Sequence, residues 1–188
     1  MSIRRLLVAA GVVVVIVPAA AVAGSYLSRT HKAPAVRVGE SVSLHGGKVT
    51  FRAPAGWTRQ GCPSGDTAGC VILLPPGGDP TATEPGDSIN AIVSTPDPKA
   101  LEGNPALLLL DPTVGAASGA RYFTRDGVRF VRMHADTGTA LAPESATTLV
   151  LGLLPNDDQV MLSCTEKTET SLVRVGCDVV VDSLRVSR

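Results

Sequence analysis

Histidine, lysine and aromatic residues are all scarce in this chain, and each shortage removes a class of function. Three histidines and six aromatics serve 188 positions, and only four of the seventeen basic residues are lysine. No Gly-x-Ser-x-Gly elbow is present, and Ser64, Ser94, Ser118 and Ser145 lie in loop contexts that activate no nucleophile. Gly77-Gly78 follows two prolines and precedes no Lys-Ser/Thr pair, which excludes a phosphate loop. No two cysteines stand two to four residues apart and none has a histidine neighbour, so a zinc site is not expected. The acidic pairs Asp157-Asp158 and Glu166 with Glu169 lack calcium-loop spacing and suit a β-turn and a helix start. No catalytic residue, cofactor or metal is therefore assigned.

Against these absences stands one long apolar run. Leu6 to Gly24 holds nineteen uncharged residues directly after Arg4 and Arg5. A short basic stretch followed by such a run is the pattern of export. As a helix it would reach roughly 28 Å, close to the hydrocarbon thickness of a bilayer. Two outcomes stay open: a single-pass anchor, or a signal peptide cleaved after the small-x-small triplet Ala21-Val22-Ala23. The domain is then held at the cell membrane, through residues 6–24, or secreted.

The zero net charge conceals an asymmetry. Residues 1–50 carry six Lys/Arg and one Glu, whereas residues 51–188 carry eleven basic against sixteen acidic residues. A mildly acidic domain without a basic stripe excludes nucleic acid as the partner. All four cysteines, Cys62, Cys70, Cys164 and Cys177, follow the apolar run. An even number in an exported domain reads as two disulfides. Three connectivities are possible, and spacing favours Cys62–Cys70 with Cys164–Cys177.

Residues 25–47 are polar and read as a flexible linker with one short strand at Glu40–Leu44, so that the domain proper spans residues 48–188. Alternating strands are expected at Lys48–Arg52, after Trp57, and at Val71–Leu74 and Ile89–Ser94. Pro98–Leu110 suggests a helix interrupted near Gly103-Asn104-Pro105. Asp126-Gly127 is the strongest hairpin signal, joining Tyr122-Phe123 to Val128–Met133. A second hairpin joins Thr147–Leu154 to Gln159–Cys164. Polar residues at 171, 174, 178, 182 and 185, opposite Val173, Cys177, Val180 and Leu184, predict a closing helix from Glu169 to Asp182. Period two along the preceding strand sets Val160, Leu162 and Cys164 on one face, so Cys164 and Cys177 share an interior. The fold class is α+β, an antiparallel β-sheet flanked by helices.

The opening VTFRAPAGW (49–57) and the closing VVVDSLRV (179–186) resemble PsbP-like α/β/α sandwich domains. Within that group the chain is most similar to small exported domains of actinobacteria, including LpqN-type lipoproteins and type VII secretion-associated proteins. MLSC (161–164) with GCDVVVDSL (176–184) is similar to the closing cysteine pattern of the secretion-associated proteins. The lipidated cysteine of LpqN-type proteins is absent here. The arginine-rich, Ala/Gly/Val/Pro-rich composition agrees with a high-GC genome such as an actinobacterium's. The resemblance implies a non-enzymatic accessory or protein-binding domain of the cell envelope, with an envelope protein as partner and a link to type VII secretion.

Two rivals come from other classes. A secreted hydrolase would use His134, the one histidine of the domain, oriented by Asp136; a half-exposed histidine at a strand end is the plainer reading, because no nucleophile accompanies it. A small-molecule or lipid carrier would need a cleft beneath the Pro/Gly-rich loop 75–88. Trp57, the only tryptophan, is expected to pack over the sheet near the first hairpin.

Overall fold

The computed structural model describes residues 35–63, 69–81, 86–95, 110–117, 119–139, 142, 144–167 and 172–187. The apolar segment 6–24, the centre of the Cys62–Cys70 loop and nearly all of the helix expected over Pro98–Leu110 lie outside the described residues. Strands β1 (Val38–Leu44), β2 (Val49–Pro54), β3 (Thr58–Gln60), β4 (Cys70–Leu74) and β5 (Ser88–Ser94) precede a short helix α1 (Pro112–Ala117). After it come β6 (Arg121–Arg125), β7 (Val128–Ala135), β8 (Ala146–Leu153) and β9 (Gln159–Glu166), then α2 (Leu172–Ser183) and β10 (Arg185–Val186).

The antiparallel architecture holds, but the strands divide into two sheets. The larger has the order β3-β4-β5-β9-β8-β7-β6, and the smaller has the order β1-β2-β10. Its existence corrects the boundary expected at Lys48. The strand foreseen at Glu40–Leu44 runs from Val38 and pairs with β2, Val42 opposite Phe51 and Leu44 opposite Val49. Residues 38–47 are therefore part of the domain and not linker. The expected helix ends at Ser183, one residue past the expected Asp182, and Arg185 and Val186 beyond it pair with Thr50 and Val49 of β2.

Local chemistry explains the two hairpins. Asp126 and Gly127 both take positive φ, 49° and 83°, as the tight turn between β6 and β7 requires. The Asp126 carboxylate also accepts a hydrogen bond of 2.8 Å from the Val186 amide, tying that turn to the chain's last strand. In β7, Phe130 pairs with Gly152 of β8, and its ring occupies the space a Cβ on Gly152 would need. The same ring stacks on Phe123 with centroids 5.4 Å apart, and the Arg125 guanidinium lies over Phe123 at 5.3 Å.

Helix α2 completes the core. Its Val173, Cys177, Val180 and Val181 are buried together with Val42 and Phe51 of the small sheet. From the large sheet, Ile89, Leu162 and Phe130 join the same cluster. Trp57 is buried in the same cluster as residues of both sheets, and its ring also lies against the helix, where a Cβ on Gly176 would come within 2.7 Å of it. A second, smaller cluster of Val131, Met133 and Leu151 occupies the other face of the large sheet, with Tyr122, Leu149 and Met161 packed against it.

Cys164 of β9 and Cys177 of α2 are bonded, with Cα atoms 6.0 Å apart, and Cys62 is bonded to Cys70, with Cα atoms 5.8 Å apart. Two disulfides fit an oxidising compartment. No helix among the described residues is long and apolar enough to cross a membrane.

The pairing and the packing of α2 are tested together. Unreduced peptide mapping should recover the linkages Cys62–Cys70 and Cys164–Cys177. Replacing both members of the second pair by serine should lower unfolding stability by about 3 kcal/mol or more, since it removes a loop closure and buries two hydroxyls. The corresponding change at the first pair should be smaller, because it closes a shorter loop. Gly176→Ala should destabilise by about 1–3 kcal/mol through overlap with Trp57, read as a lower thermal midpoint.

Candidate functional site

The densest polar cluster forms where three connections meet at one end of the domain. Asp158 follows the β8–β9 turn, in which Asp157 takes a positive φ of 66°. Its carboxylate is 2% exposed, yet it is fully engaged. Thr95, just past β5, donates its hydroxyl to Oδ1 at 2.6 Å. Asn156 Nδ2 donates to Oδ2, the Lys48 ammonium lies 3.3 Å from the same oxygen, and His45 Nε2 lies 3.1 Å from it. His45 and Lys48 flank the β1–β2 turn, where His45, Gly46 and Gly47 all adopt positive φ. Glycine takes that conformation freely and histidine does not, so the Asp158 contact holds His45 in a backbone state it would otherwise disfavour.

The hydroxyl of Thr95 and the amide of Asn156 lower the Asp158 carboxyl to about 2 from its ordinary 3.8, and Lys48 acts in the same direction against the effect of burial. The group is therefore a carboxylate at any physiological pH.

Above this cluster opens a cleft of about 530 Å³. Gly46, Gly47 and Lys48 form one wall, Leu154, Pro155 and Asn156 the other, and Ser187 also lines it. Both walls are bonded to Asp158, through Lys48 and through Asn156. The Ser187 amide donates to the Lys48 carbonyl at 2.8 Å, which fixes the last described residue beside the same turn. The cleft is thus held open by a buried ionic knot, with apolar walls and few polar groups, as binding sites generally are.

Several expectations need correction against this geometry. His45, assigned to the linker, belongs to the cluster. Asp158, expected as one of two adjacent acids in a β-turn, is buried at its centre, while its neighbour Asp157 is exposed. Residues 82–85 of the loop over the cleft a carrier would need lie outside the described residues, and the present cleft lies between the β1–β2 and β8–β9 connections. The signal that could have found it is Lys48 and His45 near a Gly-Gly turn, but nothing local joins them to an aspartate 110 residues away.

His134 lies elsewhere, on β7. Its Nδ1 is 3.0 Å from the Thr148 hydroxyl of the neighbouring strand, and its Nε2 is 3.4 Å from the Asp136 carboxylate, an exposed side chain. Thr148 stands opposite Cys164, so the imidazole sits beside the stapled edge of α2 rather than in the cleft. Among the described residues no group of three metal-ligating side chains converges. Glu166 pairs with Arg174 at 3.2 Å, closing the start of α2 onto β9; Glu169, Ser64 and Ser118 lie outside the described residues.

The acid-side behaviour follows from Asp158. A carboxyl whose folded value is below its unfolded one stabilises the fold above pH about 4, and that contribution is lost as pH falls through about 2. Thermal midpoints measured between pH 2 and 6 should therefore decline on the acid side. Asp158→Ala should flatten that decline and lower the plateau, because it leaves the Lys48 ammonium and the Thr95 hydroxyl without their acceptor. His134→Ala, which removes two partly exposed contacts, to Thr148 and Asp136, should shift the midpoint by no more than the equivalent of about 1 kcal/mol.

No protein-family model matches the chain, and no curated protein matches its sequence. Solved structures similar in shape include the following two. The solution structure of cyanobacterial PsbP (CyanoP) from Synechocystis sp. PCC 6803 is 13% identical, with 82% of this chain and 95% of that chain covered at a TM-score of 0.49. The 1.9 Å crystal structure of the Saccharomyces cerevisiae Ran-binding protein Mog1p is 16% identical, with 81% and 96% covered at a TM-score of 0.42.

Proposed function

We propose that this chain is an exported, non-enzymatic accessory domain of the cell envelope that binds another protein, using the cleft between Gly46–Lys48 and Leu154–Asn156. One observation carries the reading: the two walls of that cleft are locked together by the buried Asp158 carboxylate. A knot of this kind keeps a concave apolar surface shaped before a partner arrives, which reduces the ordering cost of binding. The disulfides support an extracytoplasmic setting, and the apolar residues 6–24 supply the route there as anchor or cleaved signal. The motifs VTFRAPAGW and VVVDSLRV support an actinobacterial envelope and a type VII secretion-associated role. The hydrolase alternative is disfavoured by the position of His134, whose ring is shared between Thr148 and Asp136 and which does not line the cleft.

A cleft of about 530 Å³ also has the capacity of a small-molecule site, and this keeps a carrier as the second reading. The two readings separate in one experiment. A photo-cross-linking residue replacing Asn156 in the full chain should yield an adduct with an envelope protein, while the same residue replacing the exposed Arg129 should not. Native mass spectrometry of the purified chain that instead shows a bound small molecule, with no protein adduct from position 156, would establish the carrier. Localisation is checked by intact mass: a chain starting at Gly24 is secreted, and one starting at Met1 fractionates with membranes. Recovery of the domain from the cytoplasm with free thiols would refute export in either form.

A further inference from the structure

The two disulfides differ in what lies over them. Cys164 and Cys177 are 1% and 0% exposed, enclosed between β9 and α2. A reagent reaches either sulfur only when α2 moves off the sheet, and the helix is held at both ends, by Arg174 on Glu166 and by Ser183 on Arg52. Cys62 has no such cover. It is partly exposed, and its neighbours Gly61 and Pro63 are exposed. Its partner Cys70, in β4, is 7% exposed, so the bond presents one of its two ends to solvent.

The two sides of this bond are also held unequally. On the Cys70 side, β4 pairs with β5, Cys70 opposite Ile92, and the Val93 amide donates to the Gly69 carbonyl at 2.6 Å. On the Cys62 side stands β3, an edge strand of three residues that pairs with β4 alone among the described strands. Its register runs from Thr58 opposite Leu74 to Gln60 opposite Ile72, and continuing it sets Cys62 opposite Cys70. None of the three residues of β3 is buried, so apolar packing does little to hold the strand. Before it, Trp57 is buried against Gly176; after it comes the disulfide. The Cys62–Cys70 bond is thus the clasp on the outer end of an otherwise weakly held edge strand.

We propose that Cys62–Cys70 is a thiol–disulfide exchange site opened by a dithiol reductant, and that opening it frees β3 while the core keeps its own disulfide. A thiolate of the reductant attacks Cys62 Sγ, the accessible end. The Cys62–Cys70 bond breaks, a mixed disulfide forms on Cys62, and the electron pair leaves on Cys70 Sγ, which takes a proton from solvent. The second thiolate of the reductant then attacks the reductant's own sulfur in the mixed disulfide. That step closes the reductant into a cyclic disulfide and releases Cys62, which is protonated in turn. Two electrons and two protons pass to the pair, and a disulfide oxidant restores the bond by the reverse steps. The Asp158 cleft is lined by neither cysteine, so this site goes beyond the protein-binding reading and does not depend on it.

The test uses the purified full chain in mild detergent, folded and near neutral pH, with dithiothreitol as the dithiol. Thiols are trapped by alkylation at timed intervals and located by peptide mass spectrometry. Cys62 and Cys70 should be reduced together, roughly a hundredfold or more faster than Cys164 and Cys177, which open only with α2. With glutathione, a monothiol, the trapped intermediate should carry glutathione on Cys62 and the alkyl group on Cys70. Hydrogen exchange in the selectively reduced chain should accelerate in residues 58–61 and stay unchanged in residues 173–183. The double variant Cys62→Ser, Cys70→Ser should reproduce that exchange pattern without any reductant. Similar reduction rates for the two pairs, resistance of Cys62–Cys70 until the chain unfolds, glutathione on Cys70 in preference to Cys62, or unaltered exchange in residues 58–61 would each overturn the proposal. An adduct from position 156 would survive any of those results, so failure of the exchange site is distinguishable from failure of the protein-binding reading.

Discussion

Helix α2 exists because two sheets and a disulfide hold it. Its twelve residues, LVRVGCDVVVDS, include five valines and a glycine, a composition with poor intrinsic helix preference. Short helices of this kind draw their stability from the burial of one face. Here Val173, Val180 and Val181 supply that face, Cys177 bonds it to β9, and Gly176 admits Trp57 from the other side. The far end is fixed as firmly. Ser183 Oγ donates to the Val179 carbonyl at 2.6 Å and accepts from the Arg52 amide at 2.8 Å, so the terminus of the helix is joined directly to β2. The small sheet is consequently not an appendage: β10 follows α2 at once and pairs with β2, and the helix transmits the position of each sheet to the other.

This arrangement explains which parts of the fold were legible in the sequence. Val160, Leu162 and Cys164 alternate, and they share the buried face of β9 because a strand's periodicity is a local property. Asp126-Gly127 encodes its own turn for the same reason. Features set by distant partners were not legible. Arg185 fits the helical rhythm of the residues before it, and only the presence of β2 draws it into a strand. Val38 and Gly39 precede an unremarkable polar stretch, and their place depends on Arg37 accepting from Ala55 and on Ala53 and Ala55 crowding Gly39. A Cβ there would come within 2.9 Å of Ala55, so glycine is what allows the strand to start so close to its partner.

The two histidine–aspartate contacts show the same limit at the candidate site. His134 and Asp136 are near neighbours in sequence and so invite a catalytic reading, yet the Asp136 side chain is exposed and has His134 as its one partner among the described residues. His45 and Asp158 have no local relation, and theirs is the contact at a buried carboxylate. Burial decides the difference. A carboxylate removed from water must collect donors, and Asp158 collects them from three separate connections. The chain thereby gains a fixed junction where loops would otherwise be independent. Proximity in sequence is a weak guide to such a junction.

Three hollows among the described residues trace back to β1. Gly39 and Glu40 line one, Ser43 and Leu44 line another, and the turn that follows β1 forms one wall of the cleft. On α2, by contrast, the outward acids are used internally. Asp178 and Asp182, one turn apart, meet Arg132 and Arg125 from adjacent strands. Those two pairs tie the helix to β6 and β7, while the exposed Arg121 and Arg129 on the same strands have no such partner among the described residues. The segment that reads most like a linker therefore carries the surfaces with most capacity to bind. β1 is joined to the rest through β2, whose Arg52 bonds Ser183 and whose neighbouring Lys48 bonds Asp158, so those surfaces are anchored to the core beneath them.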